Sequence, residues 1–130
     1  GGYKYDKKTK TFPIFINYDK QDNISDTTKY EDHFVAENRL IAISKSGRSM
    51  DSEDVQNFLK ATERGIDVQL FVRKNKDDKI SKEFYYLGRV IATGNAKQFV
   101  MPNTDKTAVE IEWELETPVR EDIYQYIVNE

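Results

Sequence analysis

The chain has 130 residues, 38% of them hydrophobic and 33% charged, a balance typical of one globular domain with a modest core. It contains no cysteine, so disulfides and thiolate metal sites are excluded, and a single histidine excludes a histidine cluster for a metal. The net charge of −3 is not that of a simple nucleic-acid-binding domain, so a chain that binds nucleic acid must sort its charges onto different surfaces.

The sequence has no apolar run of the length that a membrane span or a signal peptide requires. We therefore expect no membrane partner and a cytoplasmic location. Residues 1–10 are polar and rich in lysine, and we expect a flexible basic segment there, followed by a single domain over residues 11–130.

The first predicted element is a strand over residues 12–18, in which every second residue is apolar or aromatic. The alternation places four side chains on one face: Phe12, Ile14, Ile16 and Tyr18. Pro13 cannot donate a ladder hydrogen bond, so the strand is expected to begin at a sheet edge. Residues 30–40 show a short helical period set by Tyr30 and Phe34, and residues 40–44 predict a short strand.

The clearest helical pattern covers residues 50–64. Asp51 or Ser52 can cap its start, and Gly65 can end it in a left-handed conformation. The stripe expected to be buried is formed by Val55, Phe58, Leu59 and Thr62.

Two strands over residues 66–73 and 84–92 come next, and the short polar linker between them predicts an antiparallel hairpin at the centre of the sheet. Gly88 lies inside the second strand and indicates a bulge or a close backbone neighbour. A short strand over residues 98–101 precedes a longer one over residues 107–116. Thr117 and Pro118 predict the start of a final helix.

The strand over residues 107–116 alternates throughout. Its inward positions are Val109, Ile111, Trp113 and Leu115, and its outward positions are Glu110, Glu112, Glu114 and Glu116. We expect all four glutamates to face water and to repel phosphate groups, so that face is not expected to bind nucleic acid. The order of the elements predicts an α+β fold, with a mostly antiparallel curved sheet or small barrel and two to three helices.

The sequence shows no nucleophile beside a base, and His33 is expected to be a surface residue rather than a general base. We therefore expect no catalytic residue, no metal and no cofactor in this domain.

Basic residues concentrate in the SKSGRS loop at residues 44–49 and in residues 73–82, where hydroxyls and amides accompany them. Such groups make phosphate contacts, although charged loops of this kind can also be ordinary solvated turns. The candidate phosphate contacts are Arg39, Ser44, Lys45, Ser46, Arg48, Arg73 and Lys74.

Five motifs of the sequence resemble one family. They are YEDHF at residues 30–34, SKSGRS at 44–49 leading into SEDVQ, LFVRK at 70–74, EFYYLGRV at 83–90 and ELETPV at 114–119. The chain resembles the C-terminal domain of bacterial superfamily 2 helicases that carry a phospholipase-D-like nuclease domain, which are SauUSI-type, type IV modification-dependent restriction enzymes.

The resemblance implies a target-recognition domain that reads 5-methylcytosine or 5-hydroxymethylcytosine in duplex DNA, with a curved sheet similar to SRA and PUA-like readers. Its partners would be the modified duplex and the other domains of the parent helicase–nuclease. The parent chain would be an ATP-dependent restriction endonuclease, so the resemblance places ATP and a divalent metal in its helicase domain and no cofactor here.

Base flipping requires rings that stack on the extruded base and a polar group that meets its edge. Tyr18 and Tyr30 are the favoured rings, with Tyr85 as a substitute, and Asp19 or Asp32 could accept a hydrogen bond from the exocyclic amine. The alternative function is a protein-docking or dimerisation module with no DNA specificity, for which the hairpin and the tyrosines would form the interface.

Overall fold

The computed structural model describes residues 2–18, 31–74 and 83–129. The strands are β1 (Gly2–Tyr3), β2 (Thr11–Asn17), β3 (His33–Ala36), β4 (Arg39–Ile43), β5 (Asp67–Arg73), β6 (Tyr85–Val100) and β7 (Thr107–Leu115). The helices are α1 (Glu53–Leu59), α2 (Ala61–Arg64) and α3 (Glu121–Val128). None of the helices in these residue ranges is long and apolar enough to cross a membrane.

The strands form one sheet in the order β1-β2-β5-β6-β7-β4-β3. β2 and β5 are parallel, and every other neighbouring pair is antiparallel. The sheet is therefore mostly antiparallel, as the sequence predicts, and the parallel pair is closed by the crossover that contains α1 and α2.

The sheet is curved, and the long strand β6 connects its two halves. The first part of β6 pairs with β5 and the second part with β7. The register shifts beside Gly88 and again between Ala92 and Ala96, and Gly88 and Gly94 take φ values of 90° and 102°, which other residues rarely adopt. The bulge predicted at Gly88 is confirmed, and the two bulges bend the strand.

One hydrophobic core lies inside the curve. The inward residues of β2, β5 and β7 alternate as predicted, and α1 adds Val55 and Phe58, whose ring stacks on that of Phe12 at 4.2 Å. Trp113 is the largest fully buried side chain and packs edge-on against Phe58 at 5.3 Å. The helices thus close the concave side of the sheet with apolar side chains, which is the main source of stability.

Four predictions about elements and their boundaries are corrected by the structure. The helical prediction for residues 30–40 is wrong over its described part, because β3 and β4 form a hairpin there that buries Phe34 and Leu40. The helix predicted over residues 50–64 breaks at Lys60 into α1 and α2, with Ala61 buried and Thr62 exposed. The strand expected over residues 98–101 is the end of β6, and α3 begins at Glu121.

The predictions for Gly65 and Pro13 have different outcomes. Gly65 ends α2 with a left-handed φ of 68°, as expected. β2 lies inside the sheet rather than at its edge, although β1 pairs only with Ile14 and Phe15, so Pro13 has a paired strand on one side only.

The outward glutamates of β7 are not all open to water. Glu114 and Glu116 are exposed, whereas Glu110 and Glu112 are partly buried. Glu112 is covered at the second bulge of β6, where Thr93 and Asn95 both donate hydrogen bonds to it, at 2.7 and 2.9 Å.

The curvature brings the β1–β2 edge of the sheet close to the β4–β3 edge. Two tyrosines of the first edge bridge this seam through their hydroxyls. Tyr18 Oη accepts a hydrogen bond from Phe34 N at 3.0 Å, and Tyr3 Oη accepts one from Lys45 N at 3.0 Å. The space left beside these bridges is where the candidate site lies.

Candidate functional site

A cavity of about 70 Å³ lies in the seam between β2 and β4. Its lining residues are Gly2, Tyr3, Ile14, Phe15, Ile16, Asp32, Ala42, Ile43, Ser44, Lys45, Phe58, Ile111 and Trp113. The cavity is far smaller than the roughly 300–1,000 Å³ of pockets that enclose drug-sized ligands, so it suits a small flat group rather than a large one.

Asp32 provides the carboxylate of this cavity. It precedes β3, and its Oδ1 accepts a hydrogen bond from Ile43 N at 2.7 Å, which fixes the side chain against the neighbouring strand. Within the described part of the chain, its second oxygen accepts no hydrogen bond. Burial raises the pKa of the Asp32 carboxyl, because the ionised form is poorly solvated there. A partly buried carboxylate with a spare acceptor can bind a hydrogen-bond donor that enters the cavity.

Ser44 forms part of the same wall but is fully engaged. Its Oγ accepts a hydrogen bond from Val109 N at 2.8 Å and donates one to Lys45 O at 3.0 Å. Ser44 was a candidate phosphate contact. In the structure it is 9% exposed, and its side chain links the end of β4 to β7.

The loop after β4 carries Lys45, Ser46 and Arg48 along the mouth of the seam. β7 holds it from one side, since Gly47 N donates to Thr107 O and Thr107 Oγ1 donates to Arg48 O, both at 2.8 Å. Lys45 and Ser46 are exposed. The loop therefore has a defined backbone and presents its polar side chains outward.

Tyr3 holds the same loop from the other side. Its Oη donates to Asp54 Oδ2 at 2.6 Å, and Arg48 Nε donates to that same oxygen at 2.8 Å. Lys45 Nζ donates to Tyr3 O at 3.0 Å and lies 4.6 Å from the Tyr3 ring centroid. Each cation keeps further N–H donors for another partner, since an ammonium has three and a guanidinium five.

Arg73 and Lys74 form a second basic group at the end of β5. Arg73 Nε donates to Asn17 Oδ1 at 2.5 Å, and its guanidinium lies 4.7 Å from the Phe84 ring centroid. Lys74 lies 4.8 Å from the Tyr126 ring centroid and donates to Asn129 O. These contacts fix Arg73 against β2 and Phe84, and Lys74 beside α3.

The two basic groups lie at different levels along β2. Tyr3, which binds Lys45, pairs with Ile14 of β2, whereas Arg73 pairs with Asn17 of the same strand. Three residues of a strand span about 10 Å, and the cavity-lining stretch of β2 lies within that interval. Along β2, the cavity-lining stretch therefore lies between the level of Tyr3 and the level of Arg73.

The candidate base-stacking rings are not brought together around the cavity. Tyr18 is 3% exposed and packs against Phe34 at 5.6 Å, so its ring is part of the core. Tyr85 lies near Tyr126 at 6.1 Å and does not line the cavity. Asp19 and Tyr30 lie outside the described residues.

Arg39 also lies away from the basic loops. It faces the outer side of β7, where its Nη1 is 3.3 Å from Glu112 and its Nη2 is 3.9 Å from Glu114. Hydrogen bonds from Thr93 and Asn95, with the Arg39 charge nearby, hold the pKa of Glu112 below its usual value. This surface is acidic overall and separate from the seam.

Sequence reasoning missed Tyr3, because residues 1–10 were interpreted as a flexible basic segment. In the structure β1 pairs with β2, and the Tyr3 ring packs on Phe12 and Phe58 at 5.5 and 4.9 Å. The signal was the alternation of Tyr3 and Tyr5 with charged residues, a two-residue period typical of a half-buried strand.

A family model with the description "Domain of unknown function (DUF3427)" matches residues 1–127. The chain belongs to the DUF3427 family. No curated protein matches this DUF3427 domain.

The DUF3427 domain has the same fold as solved SRA domains. One structure, of the SUVH5 SRA domain with fully methylated CG DNA, has a TM-score of 0.52 at 10% identity, covering 91% of this chain and 76% of that one. The complex with hemimethylated CG DNA has a TM-score of 0.53 at 12% identity, covering 92% and 76%. The complex with methylated CHH DNA has 0.54 at 10% identity, covering 92% and 78%. The predicted SRA-like α+β fold is confirmed.

Proposed function

We propose that this domain binds duplex DNA and recognises 5-methylcytosine, with the modified base flipped out of the helix toward the seam cavity. The observation that carries the proposal is the position of Asp32. Asp32 is a partly buried carboxylate in an otherwise mostly apolar cavity, and its second oxygen accepts no hydrogen bond within the described residues. The basic residue Lys45 lines the same cavity. The shared fold supports the same function, because the SUVH5 SRA domains were solved with methylated DNA.

The chemistry of the cavity suits the edge of cytosine. The exocyclic amine of the base would donate a hydrogen bond to Asp32 Oδ2, while Ile43 N continues to donate to Oδ1. The 5-methyl group would fit against the apolar wall that includes Ala42, Ile111 and Trp113. Seating the ring requires side-chain rotamer changes at the seam, which are common on binding.

The affinity for any duplex would come from the basic groups. Lys45 and Arg48 beside the cavity, and Arg73 and Lys74 at the end of β5, would contact phosphates and give binding that weakens with salt. Selectivity would be moderate, since one methyl group in an apolar pocket discriminates by only about 10–200-fold.

We further propose that the domain is the target-recognition module of a type IV, modification-dependent restriction enzyme, and that it also accepts 5-hydroxymethylcytosine. Translocation and cleavage, with ATP and a divalent metal, would belong to other domains of such an enzyme. Expression of a parent gene with and without this domain, challenged by methylated and unmethylated plasmids, tests that context.

The domain itself is tested by titration with matched duplexes. One duplex carries 5-methylcytosine in a CG step and the other cytosine, and each is measured at two salt concentrations. We expect tighter binding of the methylated duplex by about 10–200-fold at both salts. Equal weak binding to both duplexes would reduce the role of the domain to nonspecific contact.

A docking function is the second candidate, and one observation favours it. Phe15, Phe71, Phe84 and Tyr86 form a chain of ring contacts of 5.0–5.4 Å on the outer side of β2, β5 and β6, and Tyr86 is 59% exposed. Exposed aromatic clusters are common in protein interfaces. Absence of binding to either duplex would favour this function.

A further inference from the structure

We propose that Tyr3 is a positioning residue for DNA binding, which holds the loop containing Lys45 and Arg48 in the geometry that meets phosphates. The proposal rests on the proposed function, and it adds a residue from the N-terminal strand to a site otherwise built from β4 and the loop after it.

The Tyr3 side chain connects the core to the loop. Its ring packs edge-on against Phe12 and Phe58, at 5.5 and 4.9 Å, so the position of the hydroxyl is fixed by the core. That hydroxyl donates to Asp54 Oδ2 and accepts from Lys45 N, at 2.6 and 3.0 Å. Both hydrogen-bonding capacities of one fixed oxygen are therefore used to join α1 to the loop.

Lys45 is held by Tyr3 through three separate contacts. Its amide donates to Tyr3 Oη, its ammonium donates to Tyr3 O at 3.0 Å, and the ammonium lies 4.6 Å from the Tyr3 ring centroid. The backbone and the side chain of the same lysine are thus both placed by one residue. An ammonium on a flexible four-carbon stem gains most from such a restraint.

Arg48 is connected to Tyr3 indirectly, through Asp54. Its Nε–H and the Tyr3 hydroxyl both donate to Asp54 Oδ2. Although burial acts to raise it, these hydrogen bonds bring the pKa of the Asp54 carboxyl below its usual value, so the carboxylate stays charged. Asp54 Oδ1 accepts from Val55 N at 2.8 Å, which orients the carboxylate at the start of α1.

Tyr3 gives the loop a second support. Gln98 and Gln56 hold Met50 at the end of the loop, and the earlier part is anchored on β7. Those anchors involve Ser44, Gly47 and Arg48, whereas Lys45 N has its partner across the seam in β1. Without the Tyr3 hydroxyl, the amide of Lys45 and the carboxylate of Asp54 each lose a partner. Lys45 and Arg48 would then sample a wider range of positions, and each phosphate contact would cost more conformational entropy.

The test is Tyr3→Phe, with Tyr5→Phe as a matched control. Phenylalanine keeps the ring on Phe12 and Phe58 and removes only the hydroxyl. The Tyr5 ring also packs on Phe12, at 5.3 Å, but its hydroxyl makes no hydrogen bond within the residues that the structure describes. Urea denaturation of both variants verifies that each remains folded.

We expect Tyr3→Phe to weaken binding of methylated and unmethylated duplexes alike, by about 3–10-fold, with the preference between them unchanged. The slope of log affinity against log salt should become shallower, because fewer phosphates are held. Tyr5→Phe should match the wild type in affinity and slope. If Tyr3→Phe also matched the wild type in both, Tyr3 would not position the loop for DNA.

Amide hydrogen exchange at Lys45 separates the failure of this proposal from the failure of the proposed function. Faster exchange in Tyr3→Phe alone supports the restraint on the loop, and unchanged exchange overturns it. A wild-type domain that binds neither duplex overturns the proposed function and removes the DNA role of Tyr3, while the exchange result still decides whether Tyr3 holds the loop.

Discussion

Replacing Asp32 with asparagine separates the role of this side chain in the fold from its proposed role in recognition. The amide oxygen of asparagine can still accept the hydrogen bond from Ile43 N, which is 2.7 Å in the structure. The other position changes from an acceptor to an NH₂ donor, which would oppose the exocyclic amine of cytosine. Shape and local packing are otherwise conserved.

The expected loss of affinity follows from the loss of the hydrogen bond between the base and the Asp32 carboxylate. A hydrogen bond to a charged group contributes about 1.5–3 kcal/mol, so affinity for the methylated duplex should fall by about 10–150-fold. The unmethylated duplex, which is bound mainly through phosphates, should lose little, and the preference should nearly disappear. Fluorescence anisotropy with the two duplexes measures both affinities. Asp51→Asn, at an exposed site in the adjoining loop, is the control for the change in net charge.

The same variant gives a prediction for stability. Burial raises the pKa of Asp32 above its usual value, so the folded state binds this proton more tightly than the unfolded state. The contribution of Asp32 to stability is therefore largest below the unfolded pKa and is lost as pH rises through the raised folded value. Asp32→Asn lacks this loss, so its stability relative to the wild type should increase from pH 4 to pH 7 in urea denaturation.

The reasoning on Asp32 would be refuted by a variant that stays folded and keeps the full preference for methylated DNA. It would also be refuted if Asp51→Asn abolished the preference to the same extent, since the effect would then be one of net charge alone.

Three further predictions concern other parts of the seam. Lys45→Ala combined with Arg48→Ala should weaken both duplexes alike and reduce the slope of log affinity against log salt by about two, and an unchanged slope would exclude them as phosphate contacts. Ala42→Val should fill part of the cavity and leave the domain folded, but remove the preference for methylated DNA in the anisotropy assay; a retained preference would place the base elsewhere. Tyr18→Phe should lower the free energy of unfolding by about 1–3 kcal/mol in urea, because Phe34 N loses a buried acceptor, and an unaltered stability would contradict the bridge.

The strands with a strict two-residue period could be predicted from the sequence. The alternation in β2, β5 and β7 identified their buried faces, and Gly88 indicated the bulge that the structure contains. These elements succeed because each has one face in the core and one outside it, so local pattern and tertiary environment agree.

The helical prediction for residues 30–40 was wrong because the spacing of the apolar residues there fits either a helix or a strand. Tyr30 and Phe34 are four residues apart, which suits a helix, yet Phe34 and Leu40 are buried as partners in the β3–β4 hairpin. Tertiary pairing overrides a weak local preference in such a short segment. The parallel pairing of β2 with β5 was equally hidden, because it joins segments about fifty residues apart and leaves no local signal.

The sequence identified single residues of the candidate site but not how they are arranged in space. Asp32, Lys45 and Arg48 were selected from their chemistry, and the structure places Asp32 and Lys45 at one cavity, with Arg48 in the loop beside it. Tyr18 was selected as a base-stacking ring, and in the structure it is buried after the end of β2, where its hydroxyl bridges the seam. The seam itself arises from sheet curvature, which depends on the whole strand order and not on any single motif.

The central claim is that a modified base enters the seam cavity, and the fluorescence of Trp113 reports on it directly. The chain has one tryptophan, and that residue is 1% exposed and lines the cavity. A base beside the indole should quench its emission, so titration with the methylated duplex should produce quenching that saturates with the affinity measured by anisotropy. The unmethylated duplex, at equal saturation, should leave the emission nearly unchanged. Tight binding of the methylated duplex with no change in Trp113 emission would contradict entry of the base into this cavity.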